Sequence, residues 1–498
     1  MTPRGKEAAA LALHRFGFAP RLRRYGRSLE TIGADPRGAL LADLERPKAG
    51  QLSVDLPASA RAARAVSDFR AEEKAKQKLA LRAPKEVNAG AAPNMSDAAR
   101  PPVNAMAIGA EPAEHKEPPL PQQIIRNEAS ARFDAAVDAD IGFAERLTWF
   151  WSNHFCVSAD KDIAMVGAYE REAIRPHILG RFGDMLGAVE SHPAMLVYLD
   201  NVHSMGAAST AGINRDKGLN ENLAREILEL HTLGVRSGYS QADVTSFANV
   251  LTGWSWIDPA EPEHGGEFVF MKRLHEPGEQ VVLGKIYPDE GVAQGRAVLA
   301  DLARHEATAQ HIALKFARHF VADDPPPSLV AKLTRTFDSS GGNLKVLAKT
   351  LVTADEAWTP QRTKLRPPSE WIAAMLRVTK AAPAEANGVI DLRAVPGEWL
   401  NIGRLMNFHA TLGQPLWRPP APNGWPDTEA AWIDGVPRRL AIANETALRA
   451  RPDVDPLDVL DQSFGPLASA DTRQTIARAE SRAQAFTLLL MTPEFLRR

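Results

Sequence analysis

NENLAREILELHTLGV, residues 220–235, decides how this 498-residue chain is read. Leu223, Ile227, Leu230 and Gly234 recur at three- and four-residue spacing, the period of an amphipathic helix. Gly234 stands where a helix C-cap glycine ends such an element, so the spacing predicts a helix from about Asn220 to Leu233. Asn222, Glu226 and Glu229 share a second face at offsets of four and three. Arg225 lies four residues from both Glu221 and Glu229. Two readings of this face stand. Paired carboxylates in unlike surroundings serve general acid and base chemistry, because one stays protonated while the other is ionised. A plain ladder of ion pairs gives the same spacing.

Outward from this segment the pattern stays helical. Ser240 opens the next helix, with Asp243 placed for a capping box. Residues 122–156 form an amphipathic helix ending in ERLTWFWSNHFCVS, and residues 162–190 continue it with Pro176 dividing the element. Residues 293–356, 368–380 and 470–497 return to helical periodicity. Glu267 to Phe270 and Gln280 to Leu283 are the strand candidates, read as one small β-hairpin. The expected fold is therefore mainly α, a multi-helix single large domain with one small β-hairpin and a long Pro/Ala-rich insertion. Its parts are 1–57 as an N-terminal helical segment, 58–82 as a charged helix, 83–121 as a flexible linker or loop, and 122–498 as the main helical domain. All ten tryptophans fall at or after Trp149, which places the dense core downstream of an N-terminal appendage.

Composition narrows the function classes. Hydrophobic residues make up 44% and charged residues 24%, as in globular proteins. The 59 Lys+Arg against 61 Asp+Glu leave a net charge of -2, without the basic excess of a nucleic-acid binder. Cys156 is the single cysteine, which excludes an intrachain disulfide framework. The opening apolar run is broken by His14 and Arg15 and is too short for a signal peptide, and no segment reaches the ~18 apolar residues of a membrane span. The expectation is a cytoplasmic chain by default, with a periplasmic location left open, and with no integral membrane span. Phosphate loops, dinucleotide fingerprints and nucleophile elbows are absent.

Other residues carry potential chemistry. His154 follows WFWSN and His231 follows Glu229-Leu230; each suits metal ligation, proton transfer or helix bridging. The spacing of Glu226, Glu229, His231 and His154 matches no familiar zinc or di-iron pattern, so no metal ligand is assigned and the cofactor is left unknown. LTGWSW (251–256) presents Trp254 and Trp256 in an exposed turn, suited to stacking on sugar rings or to covering a core. Asp200 offers a further carboxylate or a helix C-cap. Trp425 in PNGWPD either closes a cavity or anchors its loop.

Together with ARHFVADDPPP (317–327), KLRPPSEW (364–371), LGQPLWRPPAPNGWPD (412–427) and the closing TPEFLRR, these segments resemble the bacterial family catalogued as domain of unknown function 1800. The likeness spans nearly the whole chain. It implies a mainly helical protein of unassigned activity, often encoded beside an exported partner protein similar to the alkaline phosphatase and sulfatase group. The chain departs from the family at His275-Glu276, where an His-Asp pair is usual. Because residues 220–235 follow the motif position by position, a buried polar site there is favoured over a solvent ladder. The leading expectation is a carboxylate-based hydrolase or lyase acting on a glycan or similar polar polymer. Glu226, Glu229, His231 and His154 are its catalytic set, and Asn222, Arg225, Trp254 and Asp200 bind substrate. The alternatives are a non-enzymatic envelope assembly or export partner, and a metal- or haem-binding helical protein.

Overall fold

The computed structural model describes residues 3–21, 29–82, 117–161, 163–213, 215, 218–379, 401–450 and 454–498. Helices dominate, and their starts follow local chemistry. Side chains of Asp35, Ser240, Asn343, Asn401, Ser469 and Ser481 each accept a hydrogen bond from a backbone N–H of the turn they open. Ser240 and Asp243 complete the expected capping box. The charged helix runs Ser59–Arg82. The expected linker lies outside the described residues as far as 116, and a helix begins at Leu120.

One hydrophobic core runs from Ala9 to Phe495, making a single large domain. The opening segment, expected as an appendage, is sunk in that core. Ala9, Ala10, Leu13 and Phe16 are fully buried, and His14 stacks on Phe464 at 4.3 Å. The sequence reading gave weight to large aromatics, whereas small alanines let this helix approach its neighbours closely.

The hairpin expectation is corrected in its pairing. Both strand segments exist, but they belong to separate two-stranded antiparallel sheets. β1 (Trp254–Trp256) pairs with β2 (Phe268–Phe270), and β3 (Gln280–Val282) pairs with β4 (Lys285–Tyr287). The turn between β3 and β4 is Leu283-Gly284, both at positive φ (52° and 75°). That backbone matches strand twist but is usually announced by Asn-Gly, so Leu283 concealed it.

Three helices widen into π-turns: Ala12–Phe16, Glu170–Ile174 and Ile227–His231. Each turns a polar side chain inward, namely His14 and Arg15, Glu170, and His231, all at most 2% exposed. Such turns insert a residue into the helical register and so re-aim the side chains that follow.

Candidate functional site

Glu226 stands where the Asn222–Glu226 helix widens into the Ile227–His231 turn. It is half-buried and forms no hydrogen bond or ion pair among the described residues. Burial raises its carboxyl above the ordinary range; the Glu229 charge adds to this, and His231 and Arg225 oppose it. Glu229 instead lies 3.7 Å from the Arg225 guanidinium. Arg225 also donates to Glu221 at 3.0 Å and to Gln241 at 2.9 Å. The Glu221–Arg225–Glu229 ladder is therefore present, on a partly exposed face, and it leaves Glu226 out.

The two histidines are brought together with a third. The His154 Nε2–H donates to the His231 carbonyl at 3.1 Å, and the His231 Nδ1–H donates to Glu190 at 2.7 Å. The His311 Nε2–H donates to the Leu230 carbonyl at 3.2 Å. His154 lies 6.2 Å, centroid to centroid, from each of the others. Burial holds His154 well below its ordinary pKa and brings His311 down to about 4, so both are neutral at pH 7. Among the described residues, His154 Nδ1 and His231 Nε2 are buried without a hydrogen-bond partner. Among the described residues, no three His, Cys, Asp or Glu side chains converge to hold a metal ion.

The remaining predicted residues stand apart. Asn222 is exposed, and its backbone N–H donates to Asn220 Oδ1 at 2.9 Å. Asp200 is 47% exposed and pairs with Lys161 at 2.8 Å. The exposed turn expected at Trp254 is corrected: the residue lies on β1 and is 1% exposed. Strand pairing with Phe268–Phe270 turns its indole inward, where it packs edge-on to Phe268 and beside Gly295, a glycine whose Cβ would meet the ring at 2.6 Å.

A cavity of about 90 Å³ opens beside this region. Its walls include Trp149, Trp417 and Trp425, and its polar lining includes His319, Glu370 and Asp427. Asn153 clamps the Trp425 loop, accepting from the Trp425 N–H at 2.8 Å and donating to its carbonyl at 2.9 Å. Gly424, at φ 75°, makes that approach feasible, because a Cβ there would lie 2.3 Å from the Asn153 carbonyl oxygen. Arg132 sits 4.3 Å over the Trp149 ring and pairs with buried Glu170 at 2.8 Å.

The carboxylates of the cavity are held by basic side chains. Glu370 meets Arg146 at 3.2 Å and Arg498 at 2.6 Å, and Asp427 meets His319 at 2.7 Å and Lys364 at 3.1 Å. Burial pushes both carboxyls up, but Arg146 and Arg498 beside Glu370, and the His319 hydrogen bond together with Lys364 and Arg498 beside Asp427, outweigh it and hold Glu370 below, and Asp427 well below, the ordinary range. Both are thus ionised, locked groups rather than proton donors. Cys156 lines the same cavity, and its thiol donates to the Pro422 carbonyl at 3.1 Å. Burial pushes that thiol up to about 12, which removes it as a thiolate nucleophile. The charges of Lys315 and Glu226 both act on Cys156, but neither residue lines the cavity.

A family model described as "Protein of unknown function (DUF1800)" matches residues 11–497. The chain belongs to this family. No curated protein and no solved structure matches it.

In this DUF1800 chain, the motif segments quoted from the sequence converge on the cavity from distant parts of the chain, at residues 149–157, 319, 367–370 and 414–427. The sequence reading passed over His319, Glu370, Asp427, Lys315 and Glu190 as site residues. The segments PPSEW and GWPD were the available signal, but the pairing of His319 with Asp427 spans 108 residues and leaves no periodic trace. Among the described residues, no helix is long and apolar enough to cross a membrane.

Proposed function

We propose that this DUF1800 chain is a hydrolase or lyase acting on a glycan or similar polar polymer, with Glu226 as its proton donor. The observation that carries this reading is the state of Glu226, a half-buried carboxyl with no hydrogen bond or ion pair among the described residues, raised by burial and close to the Glu229 charge. In this scheme protonated Glu226 gives its proton to the oxygen of the bond that breaks. Glu229, 3.7 Å from the Arg225 guanidinium, takes a proton from the attacking water or from the substrate carbon, and the leaving hydroxyl carries the proton from Glu226. His231, oriented by Glu190, and His154 return protons between the two carboxyls. Asn222, Arg225 and Asp200 contact the polymer at the rim.

The test is Glu226→Gln against a panel of polysaccharides, read by reducing-end release and by absorbance of unsaturated products. Loss of turnover by about 10²–10⁴-fold in a folded variant is expected; undiminished turnover removes the proposal. A second reading, docking of a partner protein, is favoured by the far end of the Ser59–Arg82 helix, where Leu79 and Leu81 are 68% and 87% exposed. Replacing both leucines with lysine abolishes co-purification of such a partner if this reading holds.

A further inference from the structure

A guanidinium stays charged in a protein, so a buried one has to be met by carboxylates or by several oxygen acceptors. Arg175, 1% exposed, meets Glu145 at 2.9 Å and Glu170 at 3.0 Å. Arg377, equally buried, donates to the carbonyls of Ala19, Ala136, Val137, Ala139 and Asp140 at 2.6–3.0 Å. Arg366 and Arg439 are as deeply buried, at 0% and 1%, yet form no ion pair among the described residues.

Each of the two has a single hydrogen-bonded nitrogen. Arg366 donates from Nη2 to His14 Nδ1 at 2.6 Å, and His14, whose Nε2–H donates to the Ser463 carbonyl at 2.9 Å, accepts there as a neutral ring. Arg439 donates from Nη2 to the backbone carbonyl of Arg366 at 2.7 Å, which brings the two side chains into one region. Nε and Nη1 of both are buried without a hydrogen-bond partner among the described residues. The faces of Phe495 and Trp371, 5.8 Å from Arg366 and 5.7 Å from Arg439, attract the cations weakly but carry no negative charge.

The surroundings add positive charge. Residues 364–366 run antiparallel to 496–498, and strand alternation puts Lys364, Arg366 and Arg498 on one face. The carboxylate whose charge reaches both Arg366 and Arg439 is Glu370, and it is already bound by Arg146 at 3.2 Å and Arg498 at 2.6 Å. Arg146, Arg498 and Arg362 all act on Arg366 as repelling cations.

We infer that Arg366 and Arg439 bind a small inorganic anion of halide size, a structural counterion for the arginine cluster around Glu370. A buried water accepts from an N–H but leaves the charge uncompensated, which is the larger cost. The size follows from the seal: both guanidiniums are closed off by packed side chains, and neither lines the cavity described above. None of the residues of the catalytic scheme takes part, so the two proposals stand or fall separately.

The test is crystallographic, on the full chain exchanged into sodium bromide and measured at the bromine absorption edge. An anomalous peak is expected within about 3.5 Å of a guanidinium nitrogen of Arg366 or Arg439. In solution, Tm is expected to rise by about 1–2 °C between chloride-free buffer and about 150 mM chloride, with sodium gluconate holding the ionic strength constant. Arg366→Met is expected to remove that chloride dependence. The bromide experiment uses the unaltered chain, so a variant that fails to fold does not spoil the test. Bromide at exposed side chains only, water density alone beside both guanidiniums, or a parent Tm indifferent to chloride overturns the inference.

Discussion

Replacing Glu370 by glutamine removes one negative charge from the centre of the molecule with almost no change of shape. Glu370 is 4% exposed, and its oxygens lie 3.2 Å from Arg146 and 2.6 Å from Arg498. Arg498 keeps Asp427 at 3.7 Å after the change, but Arg146, itself fully buried, has no other carboxylate within ion-pair distance among the described residues. Burial already lowers Arg146 to about 9 with Glu370 in place. Breaking a buried pair in this way costs about 3–5 kcal/mol, chiefly because a charge is left uncompensated. At about 2.1 cal/mol/K per residue, a chain of 498 residues has an unfolding entropy of about 1 kcal/mol/K, so Tm is expected to fall by about 3–5 °C. Scanning calorimetry of the variant and the parent at one scan rate reads this directly. Adding Arg146→Met removes the stranded charge and is expected to restore at least half of the loss. A Glu370→Gln chain that melts within 1 °C of the parent, or a double variant whose losses simply add, refutes the reasoning.

Further outcomes follow from the same geometry. Burial holds His14, His154, His311, His319 and His409 below the ordinary 6.5, with His311 at about 4 and His409 at about 3. The unfolded chain therefore binds protons that the folded chain resists, and stability is full above about pH 6.5 and declines as pH falls toward 4. Three glutamates raised by burial, Glu128, Glu145 and Glu226, act in the opposite sense, but with His177 also lowered by burial six depressed histidines stand against three raised carboxyls and predict a net loss. Urea midpoints at pH 7.5 and 5 check it, and a higher midpoint at pH 5 contradicts it. Cys156, pushed up to about 12, holds roughly one thiolate in 10⁴ at pH 8, so iodoacetamide should label it only in denaturant. Gly424→Ala puts a Cβ 2.3 Å from the Asn153 carbonyl oxygen at φ 75°. It is expected to cost at least about 2 kcal/mol and to quench the Trp425 environment in fluorescence; a parent-like spectrum and Tm would show that the clamp is slack.

Much of the architecture was legible because it depends on groups a few residues apart. The capping box at Ser240 and the division at Pro176 are local events, and each appears where the spacing placed it, whereas the carboxylate helix stops at His231, ahead of Gly234. The Glu221–Arg225–Glu229 ladder was legible for the same reason. Pairing across distance was not. Phe268–Phe270 and Gln280–Val282 were recognisable as strands, but their partners depended on which edge lay within reach once the helices had packed. Burial of Trp254 was likewise decided by a neighbour, Gly295, forty-one positions away in the chain.

The candidate site divides along the same line. Glu226 was singled out from its helical face, and its separation from the ladder was legible too, because neighbouring positions such as Arg225 and Glu226 do not face each other on a helix; its burial was not legible. The cavity and its charges belong wholly to tertiary structure. Arg146, Asn153, His319, Glu370, Asp427 and Arg498 come from five separate stretches, and nothing in their individual neighbourhoods says which carboxylate will meet which cation. Local chemistry sets where helices begin, end and turn, because those free energies are spent within a few residues. Which buried charges become locked, and which, like Glu226 and Lys315, are left without an ion pair among the described residues, is settled only when distant segments exclude water together and each ion must find its counterion among those the fold has brought near.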